Sequence, residues 1–180
     1  MKILKIILLV IAILIVIPLV VALFVAKEYA VERYVEINKP KSEVFDYVKY
    51  LKNQDNFSKW ASMDPNMKKE FKGEDATVGF ISAWESTDKN VGKGEQEITG
   101  IVEGERIDYE LRFIEPFESK EHAYMILESV SENQTKVIWG FKGKMPYPMN
   151  IMMLFMDFEE MIGNDFEIGL ARLKEIMESK

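Results

Sequence analysis

Between residues 68 and 142 apolar and polar side chains alternate with period two, and turn residues interrupt the alternation roughly every 8–12 positions. Period two sends successive side chains to opposite faces of an extended chain, so this stretch is confined to β-structure with one covered face and one wet face. The predicted strands are 68–71, 79–85, 96–102, 106–113, 123–130 and 135–142. Ile107, Tyr109, Leu111 and Phe113 mark one apolar face, opposite Arg106, Asp108, Glu110 and Arg112; Val137, Trp139 and Phe141 repeat the device. The intervening turns carry their own chemistry, with Gly73 and Asp75, residues 88–94, Gly104, and residues 115–117 and 131–134. Short consecutive strands joined this way make an antiparallel meander.

The flanking segments supply what that sheet needs for burial. Residues 29–37 alternate as a first strand, with Val31, Val35 and Ile37 opposite Glu32, Tyr34 and Glu36. Pro40 then opens a helix whose Val44, Phe45, Val48 and Leu51 recur at helical spacing. A second short helix is predicted over 56–62, ending before Asp64-Pro65 because a residue preceding proline avoids the helical region. After Pro146 and Pro148 a long amphipathic helix is predicted from about residue 149 to the C-terminus. Its stripe reads Ile151, Leu154, Phe155, Phe158, Ile162, Phe166, Leu170, Leu173 and Met177, in steps of three and four. A sheet face and a helix stripe, neither stable alone, must bury each other. The expected class is α+β.

Ahead of this domain, residues 6–26 form one apolar run, from Ile6 to Ala26, with no charge in it. As a helix it rises roughly 31 Å, matching the ~30 Å hydrocarbon core of a bilayer. A cleaved signal is the competing reading, but the run is longer than a signal's apolar region, and Ala22 and Ala26 stand four apart rather than two. The expectation is an uncleaved anchor over residues 1–27, a domain over 28–180, and a single-pass protein of the bacterial inner membrane. Orientation is contested: Lys2 and Lys5 on one side against Lys27, Arg33, Lys39 and Lys41 on the other favour a cytoplasmic domain, whereas a short basic tail favours an external one. The expectation leans to the outside.

Composition excludes several classes. Removing the first 26 of 180 residues takes two lysines with it and leaves 21 basic against 30 acidic residues, a net charge of −9. So acidic a domain has no electrostatic footprint for nucleic acid. The absence of cysteine removes disulfides, thiol nucleophiles and thiolate metal sites. Gly92-x-Gly94 is followed by Glu97 where a phosphate loop needs a third glycine, and no G-x-S-x-G elbow occurs.

The order of elements and the residues filling it resemble the START-like (SRPBCC) superfamily, which includes polyketide cyclases and dehydrases and Bet v 1 relatives. The pieces are Ile37-Asn38-Lys39-Pro40 with Val44-Phe45, residues 56–60 followed by Met63-Asp64-Pro65, Gly92-Lys93-Gly94, Arg106-Ile107, Thr135-Lys136-Val137 before Trp139, and Phe166-x-x-Gly169-Leu170 with Leu173-Lys174. Together they span nearly the whole chain after the anchor. The resemblance implies a helix-grip fold, a curved antiparallel sheet around the C-terminal helix with an apolar cavity between them. It also implies binding of a hydrophobic small molecule or lipid. Some members cyclise or dehydrate polyketides, but the superfamily has no universal catalytic motif to carry over.

Methionines 149, 152, 153, 156 and 161 crowd the start of the last helix, and methionine suits surfaces that accept varied apolar partners. The candidate cavity lining is Arg33, Trp60, Trp84, Tyr109, Phe113, Trp139, Phe141, Met152, Phe155 and Met156, with ordinary core packing as the bland alternative. A cyclase would require a polar pair facing the cavity, such as Arg33 with Tyr109 or His122. His122, the sole histidine, follows Lys120-Glu121 at a strand's start and reads as an exposed edge. No catalytic residue, metal site or cofactor is expected. A third reading is a membrane-anchored interaction module with a filled core.

Overall fold

The structure, a computed structural model, describes residues 2–179. Helix α1 (Lys2–Ala22) leads into β1 (Glu28–Ile37), α2 (Lys41–Val48), a 3₁₀ turn (Leu51–Asn56) and α3 (Lys59–Met63). Then follow β2 (Lys68–Lys72), β3 (Ile81–Glu85), β4 (Lys93–Val102), β5 (Arg106–Glu115), β6 (Ser119–Ser131) and β7 (Gln134–Lys144). A second 3₁₀ turn (Met149–Leu154) precedes α4 (Phe158–Glu178). The seven strands form one antiparallel sheet in the order β1-β7-β6-β5-β4-β3-β2, so only β1 leaves the meander order, pairing with the last strand. Helix α4 crosses the covered face and packs on β1. This is the helix-grip fold that the resemblance implies.

Two helices differ from the expectation. The C-terminal helix does not run from residue 149: the chain makes a 3₁₀ turn, leaves helical geometry, and restarts at α4, where the Asp157 carboxylate accepts from the Glu160 amide at 2.9 Å. A side-chain cap of this kind satisfies an amide that a helix start leaves open. Steps of three and four suit a 3₁₀ turn and an α-helix alike, so the stripe could not reveal the break. The N-terminal helix ends at Ala22, before the apolar run does, because the chain turns at residues 23–26 to enter β1. It still has 21 residues, and its large apolar side chains from Ile3 to Ile17 are exposed rather than packed on the domain.

Register places the ends of the sheet. The pairs Glu28↔Lys144, Lys93↔Glu115, Phe113↔Ser119 and Lys68↔Glu85 bring the α1–β1 junction, the β3–β4 and β5–β6 loops and the β7–α4 connection to one end. At the opposite end Asn38 donates its amide to Glu178 at 2.8 Å, closing the far end of α4 on β1. There Ile37, Ile107, Leu127, Val137, Leu173 and Met177 belong to the packed core. The end near α1 is not filled.

Candidate functional site: a cavity between the sheet and the last helix

Phase along the strands decides which side chains look toward α4. In β5 the inward residues are Ile107, Tyr109, Leu111 and Phe113; in β6 they are Glu121, Ala123, Met125 and Leu127. Following each strand from the far end, these residues first fill the core and then line a cavity of about 650 Å³. The boundary is an aromatic cluster. Trp139 stacks on Phe166 with ring centroids 4.6 Å apart, and Phe57 and Trp60 meet Trp139 edge-on at 5.6 and 6.5 Å. Gly169 of α4 permits this close approach, since a Cβ there would stand 2.8 Å from the Trp139 ring.

Seven of the ten residues expected from sequence share this cavity: Trp60, Trp84, Phe113, Trp139, Phe141, Met152 and Met156. Three do not. Tyr109 has the right phase but lies deeper, 1 % exposed in the core, with a hydroxyl that finds no partner among the described residues. Arg33 also points to the α4 side, yet its guanidinium lies over Gly163 and pairs with Glu167 at 2.9 Å and Glu159 at 3.5 Å. It closes the outer edge between β1 and α4. Phe155 falls in the break before α4 and points outward. Alternation reports the face of a strand, not the depth along it.

The sequence reading missed Tyr29, Glu121, Phe117 and Phe166, all of which line the cavity. Glu121 carries the most chemistry. It is 8 % exposed, accepts the Lys144 amide at 2.9 Å, and is also hydrogen-bonded by Ser119. Burial raises its carboxyl above the ordinary glutamate range. Burial also pushes the Tyr29 phenol up to about 12, with the Glu121 charge adding to the effect. The signal for Glu121 was present, because it shares the period-two phase of Ala123, Met125 and Leu127; starting the strand at 123 hid it.

His122 faces the other way. It pairs across the sheet with Glu110 and Lys142, and its Nε2 lies 3.1 Å from Asp108. Asp108 is held below the usual carboxylate range chiefly by the Arg106 guanidinium, which also covers the Tyr124 ring at 4.6 Å. That network belongs to the wet face. Arg33, Tyr109 and His122 all lie elsewhere, so neither pairing of Arg33 with Tyr109 or His122 is assembled in the cavity. Among the described residues no group of His, Asp and Glu has the arrangement of a metal site.

Solved structures of the same architecture are numerous. TTHA0849 from Thermus thermophilus superposes with a TM-score of 0.61 at 15% identity, covering 84% of this chain and 98% of its own. Ara h 8.0201 gives 0.56 at 13% identity, with 85% and 99% covered. DynU16, from the dynemicin biosynthetic locus, gives 0.56 at 13% identity, with 83% of this chain and 47% of DynU16 covered. The helix-grip fold is shared with these structures. No protein-family model matches the sequence, and no curated protein matches it. At these identities the likeness fixes the helix-grip architecture and leaves chemistry to the site.

Proposed function

We propose that the protein is a membrane-tethered binding domain for a hydrophobic small molecule or lipid, held between the sheet and α4. The observation that carries this reading is the cavity of about 650 Å³, walled by Trp60, Trp84, Phe113, Phe141, Met152 and Met156. Sites for small molecules are typically concave, largely apolar and about 300–1,000 Å³. Each buried methylene is worth about 0.8 kcal/mol, so a ten-carbon chain gains roughly 8 kcal/mol before the cost of ordering it. Glu121 gives the site a polar end. A carboxyl has about four lone-pair sites, and those left by Lys144 and Ser119 would accept a hydroxyl or amine of an amphipathic ligand. A module with a filled core would lack such space.

The tether reading rests on α1, 21 residues long, apolar from Ile6 onward and exposed beyond the folded domain. A helix apolar all round needs either a protein core or a lipid environment. Native mass spectrometry and lipidomics on the full chain purified in detergent test the proposal. A co-purifying amphiphile, displaced in competition by an apolar fluorescent probe, is the expected result. Repeated recovery of an empty chain that binds no such probe would sink it.

A further inference from the structure

We infer that the mouth of the cavity is held against the bilayer surface in a fixed orientation, so that cargo passes between leaflet and cavity without crossing water. The inference rests on the tethered-binding reading above and adds to it a geometry and a route. Three observations carry it.

First, the link between α1 and the domain is stiff. Asn150, fully buried, donates its side-chain amide to the carbonyls of Ala22 at 2.7 Å and Val25 at 3.0 Å. These are carbonyls that a helix end and the turn after it leave open. The amide cannot be turned over, since its oxygen would then face carbonyl oxygens. Its own Oδ1 is buried with no partner among the described residues, so the contact is kept despite a cost. Two residues on, Lys27 accepts the Met145 amide at 2.8 Å, and Glu28 is already in register with Lys144. A swivelling linker would show none of these bonds.

Second, the segment packed on the end of α1 is the rim of the cavity. Asn150 lies in the 149–154 turn, whose Met149 and Met152 line the cavity, and the chain continues through Met156 and Phe158 in the same wall. A bilayer spanned by α1 therefore meets this rim first.

Third, the rim is apolar where water would disfavour it. Phe24 at the junction, Phe155 beside the mouth and Phe117 in the β5–β6 loop are 86 %, 81 % and 77 % exposed, and Leu154 and Met149 are exposed too. The β4–β5 and β6–β7 turns at the opposite end of the sheet carry Glu103, Glu105, Glu132 and Asn133 instead, and Val78, Val102 and Val130, exposed around that end, are small and aliphatic. Single exposed apolar residues are ordinary, but several gathered at one rim beside a membrane helix mark an interaction surface. Aromatic side chains favour the interfacial layer of a bilayer.

The chain contains no cysteine, so single sites can be labelled without a background. Phe117→Cys, Phe155→Cys, Glu103→Cys and Glu132→Cys are each labelled with an environment-sensitive fluorophore in the full chain. The chain is reconstituted into phosphatidylcholine–phosphatidylglycerol vesicles with or without nitroxide lipids. Blue-shifted emission and nitroxide quenching are expected at 117 and 155, with water-like, unquenched emission at 103 and 132. Equal, water-like emission at all four sites overturns the inference. Asn150→Ala, with circular dichroism unchanged, is expected to lose much of the contrast; full contrast there overturns the role given to Asn150. Binding of an apolar probe in detergent and resistance of the chain to alkaline extraction from vesicles are read separately. Failure of either sinks the tethered-binding reading itself, whereas success of both with wet rim labels sinks the docked geometry alone.

Discussion

Trp84 occupies the space that a side chain would take at Gly94, its partner in register on the neighbouring strand: a Cβ there would stand 2.6 Å from the indole and 2.7 Å from the Arg112 carbonyl oxygen. The ring is held in place by its own N–H, which donates to the Val91 carbonyl at 3.2 Å, and by an edge-on contact with Phe113 at 6.0 Å. Tyr29 stands over Gly143 in the same way on the other side of the cavity. A glycine opposite an aromatic lets the ring lie close to the sheet, which leaves the space above it open.

Gly94→Ala should therefore cost stability and capacity together. Overpacking of this kind costs about 1–3 kcal/mol, because one of the two clashes is with backbone that cannot step aside. Urea unfolding in detergent should show the loss, and titration with an apolar fluorescent probe should show weaker binding. Unchanged stability would mean that the Trp84–Gly94 contact is looser than its geometry.

Glu121→Gln should flatten part of the pH dependence of stability. The folded carboxyl titrates above its unfolded value, so at low pH both states hold the proton and the site favours neither. As pH rises from about 4.3, the ordinary glutamate value, the unfolded chain ionises first and the folded state loses ground. The neutral amide keeps the Lys144 contact without that loss. Measured across this window, the urea midpoint of the variant should gain on that of the native chain as pH rises. A variant less stable than the native chain at neutral pH would contradict the assignment.

Tyr109→Phe removes a buried hydroxyl that has no partner among the described residues. An unsatisfied buried polar group costs about 1–3 kcal/mol, so the variant should be as stable as the native chain or more so. A loss of stability in thermal or urea unfolding would reveal a hydrogen bond at that hydroxyl.

Phe166→Ala should strip the stacking partner from Trp139 and open the wall between core and cavity. Truncating a buried phenylalanine costs about 3–5 kcal/mol, and the Trp139 emission should shift as solvent or ligand reaches the ring. Binding of a bulkier apolar probe should improve relative to a slim one. An unmoved emission spectrum would place Trp139 outside the cavity wall.

The alternation between residues 68 and 142 was enough to read seven strands once the first was added, because period two survives in any sheet with one wet face. It was also enough to find Trp84, Phe113, Trp139 and Phe141 of the aromatic lining. Glu121 escaped because a charged residue at a strand's start reads as an end of the strand rather than its continuation. Arg33 was read as a cavity group because its phase is inward, but phase does not show that Glu159 and Glu167 of α4 lie within reach of it.

Local periodicity, turn chemistry and the run of apolar residues at 6–26 were determined by the sequence alone, since each depends on neighbours a few positions apart. Tertiary structure decided the rest. The stiff joint between the end of α1 and the turn before α4 depends on Asn150 reaching carbonyls more than a hundred positions away. The cavity depends on where the core stops, at Trp139 and Phe166, and both are distances between elements that no short window of residues contains.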